Sequence, residues 1–386
     1  MDNHLLKSYK KILADLEKAG LIRTLRDRES PQGRTIRFGG VDYINFSSND
    51  YLGLAAGKIP TASERMVILQ GGGASRLLGG GTAIYRELEG EISRWKGSQE
   101  SLVLTSGYAT NVGVIPALTD TETLILSDEL NHASIIDGIR LSRAEKKVYR
   151  HCDMNHLEEL LRRSKKKKIF IITESVFSMD GDIAPLSDLI ELGRRFGAMF
   201  YIDDAHGSGV IGEGGGGLSH FGIKWDEDIV IMGTLSKAVG SLGGFISSTE
   251  TVRDILINRC RSFIYTTALP EEVLLKSLNS IQTIKKHPEL ITTLWEKRNS
   301  LFSKLKGLGL DTGRSETPII PVIIKDNEKA ISLSRFLFEH GIYAPAIRYP
   351  TVNIPRLRIT VTANHEEGDI LYLINTLKEA LSKGLL

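Results

Sequence analysis

Residues 199 to 212 read M-F-Y-I-D-D-A-H-G-S-G-V-I-G. A short apolar run ends here in two carboxylates, a histidine and a glycine-rich turn. Short runs that are apolar throughout and bounded by turn residues are typical of strands buried on both faces of a parallel sheet. Because ligands bind beyond the carboxyl ends of parallel strands, this stretch predicts both the fold class and the edge of the sheet at which a site lies.

The same pattern recurs along the chain. The further runs are Ser101–Leu104, Thr123–Leu126, Ile169–Thr173, Ile229–Met232 and Gly244–Ser247. Most are separated by segments in which leucines recur at helical spacing. Strands that alternate with helices predict an α/β fold built on a mostly parallel sheet with helices on its faces.

The two ends of the chain differ from this middle part. An amphipathic helix is predicted over residues 4 to 19 and a loop over residues 23 to 40. A long helical stretch follows Pro270, and a mixed α+β pattern follows it. Its elements are a strand at Pro318–Ile324, a helix at Glu328–Glu339, strands near Ile342–Ile347 and Leu357–Val361, and a helix from His365. We predict an N-terminal helix and arm (1–45), a large domain (46–275) and a smaller C-terminal α+β domain (276–386).

Composition excludes several classes of protein. The chain has 49 Lys and Arg against 47 Asp and Glu, and a net charge of +2 gives no overall attraction to nucleic acid or membranes. Two cysteines cannot form a disulfide framework, and they fit a cytoplasmic location. No apolar run approaches the ~18 residues of a membrane span. Glycine is abundant, at 38 of 386 residues, and it is clustered.

A dinucleotide site is the first alternative to consider. Residues 207 to 212 match G-x-G-x-x-G after an apolar strand, as in nicotinamide-dependent oxidoreductases. Such a fingerprint opens a helix, however, and the four glycines at 214 to 217 are poor helix starters. Asp203 and Asp204 also place negative charge where a pyrophosphate approaches. The oxidoreductase stays open as the less favoured class.

A metal site is the second alternative. The segment H-C-D-M-N-H at 151 to 156 offers residue types that ligate metals. Asp153 and Asn155 are also ordinary capping residues for the helix predicted to follow. We therefore expect no metal here.

Polar groups follow the predicted strands one after another. They are Ser106-Gly107-Tyr108, Asn131-His132, Ser178 within E-S-V-F-S-M-D-G, Asp203 to His206, and Thr234 to Lys237. Small hydroxyls and glycine suit a phosphate, and the lysine lies in an apolar stretch bounded by glycines. Partial burial lowers the pKa of such a lysine, and its amine can form a Schiff base.

These strand ends resemble a known family, the α-oxoamine synthases. The motifs are S-G-Y-x-x-N, D-x-x-x-H-A-S, E-x-V-F-S-M-D-G-D, D-D-A-H-G-x-G-x-x-G and T-L-S-K-A-x-G, in the family's order. The likeness begins at N-F-S-S-N-D-Y-L-G-L (45 to 54) and reaches T-V-T-A-N-H (360 to 365). It implies a transferase of fold type I that depends on pyridoxal 5′-phosphate (PLP), with a seven-stranded sheet.

The resemblance also implies roles at the cofactor ring. Lys237 would bind PLP covalently, and Asp203 would pair with the pyridine nitrogen. His206 and Ser178 would bond the phenolic oxygen. His132 would stack on the ring, and it would act in catalysis together with Lys237, Asp203 and His206.

Further roles concern the phosphate of PLP. Gly107, Tyr108 and Thr234 would hold it within one chain. Thr266 or Thr267 would reach it from a partner subunit. The resemblance therefore implies a homodimer with shared active sites.

Members of the family join an amino acid to an acyl thioester, usually with loss of CO2. The segment A-I-R-Y-P-T-V at 346 to 352 resembles the members that condense L-alanine with a pimeloyl thioester, on CoA or a carrier protein, in biotin biosynthesis. Arg23, in G-L-I-R, resembles an arginine at the acyl entrance. The residues expected to bind substrate are Arg23, Asn49, His132, Arg348 and Thr351.

Two departures keep other members open. Tyr349 takes the place of a usual proline, as in 5-aminolevulinate synthases, and residues 55 to 70 form a shorter segment than the family usually has. The alternatives are therefore 5-aminolevulinate synthase and glycine C-acetyltransferase.

Overall fold

The computed structural model describes residues 4–57 and 71–386, so most of the short segment at 55 to 70 lies outside the described residues. The strands are β1 Thr35–Phe38, β2 Val41–Asn45, β3 Glu100–Leu104, β4 Thr123–Asp128, β5 Glu145–Tyr149, β6 Lys168–Glu174, β7 Met199–Asp203, β8 Ile229–Thr234, β9 Gly244–Ser248, β10 Ile319–Ile323, β11 Ile342–Tyr343, β12 Ala346–Ile347 and β13 Arg356–Thr360. The helices are α1 His4–Lys18, α2 Ala83–Lys96, α3 Gly107–Leu118, α4 Ala133–Leu141, α5 Met154–Arg162, α6 Leu186–Arg194, α7 Gly217–His220, α8 Glu250–Arg259, α9 Arg261–Ile264, α10 Glu271–Lys286, α11 Glu289–Gly307, α12 Asn327–Glu339 and α13 Glu367–Ser382.

A seven-stranded sheet in the order β3-β9-β8-β7-β6-β4-β5 forms the centre of the fold. Neighbouring strands from β8 to β5 pair in parallel, and β9 runs antiparallel to both β3 and β8. All six apolar runs of the sequence are strands of this sheet, which confirms the mostly parallel α/β architecture. The carboxyl ends of β4, β6, β7 and β8 meet at one edge.

Alternate residues of these strands belong to two separate cores. In β6, Phe170 and Ile172 pack with α3, α4 and α8 on one face, whereas Ile169 and Ile171 pack with α5 and α6 on the other. Side chains of a strand alternate between faces, so a run that is apolar throughout requires cover on both sides. The helices provide that cover.

Two small sheets accompany the large one. The C-terminal part contains the antiparallel sheet β10-β13-β12, and β11 joins the hairpin β1–β2 near the N-terminus. The predicted loop over residues 23 to 40 is therefore wrong for β1.

The helical stretch after Pro270 is two helices, because Pro288 lacks the N–H that would continue α10. The division of the chain at residues 45 and 275 stays a prediction. No helix among the described residues is long and apolar enough to span a membrane.

The glycine-rich turn after β7 surrounds the Asp204 carboxylate. Asp204 accepts hydrogen bonds from the Gly217 N–H at 2.9 Å and from Lys96 Nζ at 2.8 Å. Lys96 also donates to the Gly215 carbonyl. A Cβ added to Gly216 would lie 1.9 Å from the Asp204 carboxylate. The glycines thus leave space for the Asp204 carboxylate of the protein itself. The helix that follows them, α7, has four residues, whereas a pyrophosphate loop opens a longer helix. The dinucleotide interpretation of this loop is wrong.

Replacing Lys96 with Met leaves Asp204 buried without its counter-charge. We expect the free energy of unfolding to fall by about 3–5 kcal/mol, the usual cost of removing one member of a buried ion pair. Unfolding in urea, followed by circular dichroism, measures the change.

Lys168→Met is the matched control, since Lys168 pairs with Asp120 at the surface. Its expected loss is much smaller, because solvent screens an exposed ion pair. Equal losses in the two variants would contradict a structural role for the buried pair.

Candidate active site

The carboxyl edge of the large sheet contains a cavity of about 240 Å³. Its lining residues are Ser47, Asn49, His132, Ser178, Met179, His206, Lys237, Pro345, Ile347 and Arg358. The structure thus brings five of the predicted site residues together around one space. Asp203 lies at the same edge, at the end of β7.

Lys237 follows β8, and its Nζ lies 2.8 Å from His206 Nε2. Burial lowers the pKa of this amine to about 8, although the nearby carboxylates of Asp203 and Glu174 act in the opposite direction. A neutral amine is therefore available in mildly alkaline solution. Such an amine can act as a nucleophile or a base.

The Asp203 carboxylate is held by groups on both sides. Its Oδ2 accepts a hydrogen bond from Asn111 Nδ2 at 2.8 Å, and its Oδ1 accepts one from the Ala205 N–H at 3.0 Å. Asn111 lies on α3, and its own oxygen accepts from the buried Tyr201 hydroxyl at 2.7 Å. The carboxylate therefore has one fixed orientation.

His132 is the N-cap of α4. Its Nδ1 accepts the Ser134 N–H at 3.2 Å and lies 2.7 Å from the Ser134 hydroxyl. Burial lowers the pKa of the imidazole, so the ring is neutral at pH 7. Because the cap occupies Nδ1, Nε2 remains for a ligand.

The start of α3 offers an anion site beside β8. Gly107 is the first residue of this helix, and Ser106 caps it by accepting the Ala109 N–H at 3.1 Å. A Cβ on Gly107 would lie 3.4 Å from Thr234 Oγ1, so these two residues are adjacent. The Tyr108 hydroxyl points elsewhere and donates to Asp137. Unpaired N–H groups at a helix start favour a phosphate here.

Several predicted residues lie outside the cavity. Thr266 and Thr267 line a separate crevice with Arg76 and Tyr85. Arg23 and Thr351 are exposed. A guanidinium nitrogen of Arg348 lies 3.5 Å from the Ile22 carbonyl, next to Arg23 in the chain. The two arginines that resemble acyl-binding residues thus belong to neighbouring segments.

Arg358, in β13, is a site residue that the sequence analysis missed. It is buried, and it donates to the Ser178 carbonyl at 2.6 Å and to Asn49 Oδ1 at 3.0 Å. Within the described ranges, no carboxylate forms an ion pair with it. The signal was present, since Arg356 and Arg358 interrupt an otherwise apolar strand. A buried guanidinium that contacts only neutral oxygens is a site for an anion.

Comparison with known proteins agrees with this geometry. The profile of the class I and II aminotransferases matches residues 41–377. The 8-amino-7-oxononanoate synthase of Thermoanaerobacter pseudethanolicus is 44% identical over 375 residues, which cover 95% of each chain.

The chain belongs to the α-oxoamine synthases of the class I and II aminotransferase family. Two solved structures support this assignment. Serine palmitoyltransferase from S. paucimobilis, solved with a PLP–myriocin adduct, superposes with a TM-score of 0.92 at 27% identity and full coverage of both chains. The 8-amino-7-oxononanoate synthase of Francisella tularensis superposes with a TM-score of 0.75 at 26% identity, covering 89% of this chain and 99% of the other.

PLP, the cofactor of this family, fits the residues present. The cofactor carries an aldehyde, a basic ring nitrogen, a phenolic oxygen and a phosphate. At the sheet edge, Lys237 offers an amine, Asp203 a fixed carboxylate and His206 a hydrogen-bonding nitrogen. The start of α3 beside Thr234 offers N–H and hydroxyl groups. The set of donors and acceptors therefore matches the groups of PLP one for one.

The pKa of Lys237 predicts how fast the cofactor-free chain captures PLP at each pH. Only the unprotonated amine attacks an aldehyde, and raising the pH removes the proton. We therefore expect the rate at which visible absorbance develops after PLP is added to rise through pH 8 and then level off. Stopped-flow absorption measures this rate.

Lys237→Ala is the control and should develop no such absorbance. An exposed lysine has a pKa of about 10.4, so a rate that still climbs at about pH 10 would show that Lys237 is not desolvated.

Proposed function

We propose that the chain condenses L-alanine with a pimeloyl thioester, with loss of CO2 and release of the thiol, to form 8-amino-7-oxononanoate for biotin biosynthesis. The observation that carries this proposal is the Arg358 guanidinium, which lines the cavity of Lys237 without a carboxylate partner among the described residues. The carboxylate of an amino-acid substrate would form the missing ion pair with this guanidinium. The names of the relatives, at 41–46% identity, support the choice of substrates.

The residues at the cavity have separate roles in the proposed reaction. Arg358 orients the amino acid through its carboxylate, and the neutral amine of Lys237 removes the proton from Cα. Bound PLP supplies an electron sink for the pair that remains. Asp203 keeps a proton on the ring nitrogen. His132, held through Nδ1, directs Nε2 at the carboxylate or carbonyl oxygen of the substrate.

Arg23 and Arg348 are proposed to bind the far carboxylate of the pimeloyl chain. Both are arginines on neighbouring segments outside the cavity, and Thr351 lies on the same segment as Arg348. A guanidinium suits a terminal carboxylate. The carrier of the acyl group, CoA or a protein, is left open, and a cytoplasmic location stays a prediction.

A homodimer with shared sites is part of the proposal. Thr266 and Thr267 do not line the Lys237 cavity of their own chain. This placement is consistent with a role at the phosphate of a partner subunit. The described residues of the α1 helix are all exposed, and we propose this helix as a further contact with the second copy.

Replacing Arg358 with Lys keeps the charge and removes the fork of N–H donors. We expect the KM for alanine to rise about tenfold to 100-fold, since hydrogen bonds to charged groups contribute about 1.5–3 kcal/mol. Steady-state kinetics at saturating acyl donor measure the change.

Arg253→Lys, at a surface ion pair, is the control and should leave the KM unchanged. An unaltered KM in Arg358→Lys would remove Arg358 from the substrate site.

Acyl specificity gives the decisive test of the function. With alanine, pimeloyl-CoA should give the highest kcat/KM among pimeloyl-, octanoyl-, acetyl- and succinyl-CoA, measured by release of the thiol. Arg348→Ala should lower the value for pimeloyl-CoA about tenfold and leave octanoyl-CoA unchanged, because only the first carries a free carboxylate. If glycine with acetyl- or succinyl-CoA reacts best, the chain is a different member of the family.

A further inference from the structure

Tyr51 forms a buried chain of contacts with His206 and Lys237. Its side chain is 1% exposed, and its hydroxyl lies 2.6 Å from His206 Nδ1. The other ring nitrogen of His206 lies 2.8 Å from Lys237 Nζ. Tyr51 itself does not line the cavity. Its short hydrogen bond to a residue of the cavity is the one with His206.

The hydroxyl of Tyr51 has one hydrogen and two possible acceptors. His206 Nδ1 lies at 2.6 Å, and Asn49 Oδ1 lies at 3.5 Å, where it already accepts from Arg358. The Arg358 guanidinium also faces the hydroxyl, and a guanidinium can only donate. The guanidinium thus offers no acceptor, and the hydrogen of the Tyr51 hydroxyl goes to His206 Nδ1, the nearer of the two acceptors.

His206 is neutral in this environment. Burial lowers the pKa of the imidazole well below its usual range, and the positive charges of Lys237 and Arg358 act in the same direction. A neutral imidazole carries one N–H. Since Nδ1 accepts from Tyr51, that N–H is on Nε2, which faces the cavity. The neutral amine of Lys237 can accept it at 2.8 Å.

We propose that Tyr51 is a positioning residue that holds His206 in the Nε2–H tautomer, so that the histidine presents a hydrogen-bond donor to the cavity. The proposal rests on the proposed function in one respect, that the phenolic oxygen of PLP is the acceptor in the loaded enzyme. Tyr51, which lies outside the cavity, thus determines which ring nitrogen of His206 carries the proton.

His151 shows why a hydroxyl is needed at this position. Its two ring nitrogens lie 2.9 Å from Asp128 and 2.6 Å from Asp182. Burial by itself would lower the pKa of this imidazole, but the hydrogen bonds to the two carboxylates outweigh burial and raise the pKa to about 12. A carboxylate beside His206 would likewise favour the imidazolium. Tyr51 orients the ring through a neutral group, so His206 stays uncharged beside Lys237 and Arg358.

The test reads the tautomer directly. The PLP-loaded enzyme is prepared with 15N in its histidine rings, and the His206 signals are assigned with a His206→Asn variant. We expect a pyrrole-like Nε2 and a pyridine-like Nδ1 in the wild type. In Tyr51→Phe, which keeps the ring, we expect the two signals to move toward each other as the tautomers mix.

Activity and absorption supply independent readouts. Tyr51→Phe should lower kcat about tenfold, the rate equivalent of one buried hydrogen bond, with little change in the KM for alanine. It should also shift the visible absorption of bound PLP. Tyr149→Phe removes an equally buried hydroxyl away from the cavity and should change none of these measurements.

An Nδ1–H tautomer in the wild type would overturn the proposal. So would His206 signals that are the same in Tyr51→Phe, even if that variant were less stable in urea. The ring-nitrogen signals and the absorption of bound PLP are measured without an acyl donor, so a failure of the pimeloyl specificity leaves these two readouts intact. An altered tautomer with unchanged absorption would place the acceptor elsewhere than on PLP and would also overturn the inference.

Discussion

The ion pair between Lys96 and Asp204 holds the turn on which the site depends. Asp203 and Asp204 are consecutive, and side chains at the end of a strand alternate between its two faces. Asp203 therefore contacts α3 and faces the cavity edge, whereas Asp204 is bound on the opposite face by Lys96 and the glycine turn. His206 lies two residues further on. Anchoring one carboxylate thus fixes the place of the other and of the histidine.

The strands, and the polar residues that follow each of them, were predictable from sequence because both depend on patterns within short stretches of chain. An apolar run with turn residues at its end indicates a buried strand, and parallel strands bring Lys237, His132 and His206 to one edge. Arg358 and Tyr51 were not predicted, since their roles depend on contacts across long stretches of chain. Asn49 meets Arg358 over 309 positions of sequence, and no periodicity connects two such residues.

The glycine excess shows the same limit. A G-x-G-x-x-G pattern is compatible with a loop that binds a pyrophosphate and with a loop that surrounds a carboxylate of the protein. In both cases the backbone must approach an anion closely. In the structure Gly216 and Gly217 enclose Asp204, whereas Gly107, Gly243 and Gly244 lie next to Thr234 at the start of α3. Only the partner of each glycine distinguishes the two uses.

Charge in the cavity follows from which histidines are protonated. Burial keeps His206 and His132 neutral, whereas two carboxylates keep His151 charged outside the cavity. The cations that remain near the substrate are the Arg358 guanidinium and, below a pH of about 8, the Lys237 ammonium. Once Lys237 is neutral, Arg358 is the one fixed cation among the described lining residues. In the proposed reaction this charge would orient an incoming amino acid by its carboxylate toward β13, on the cavity that Lys237 also lines.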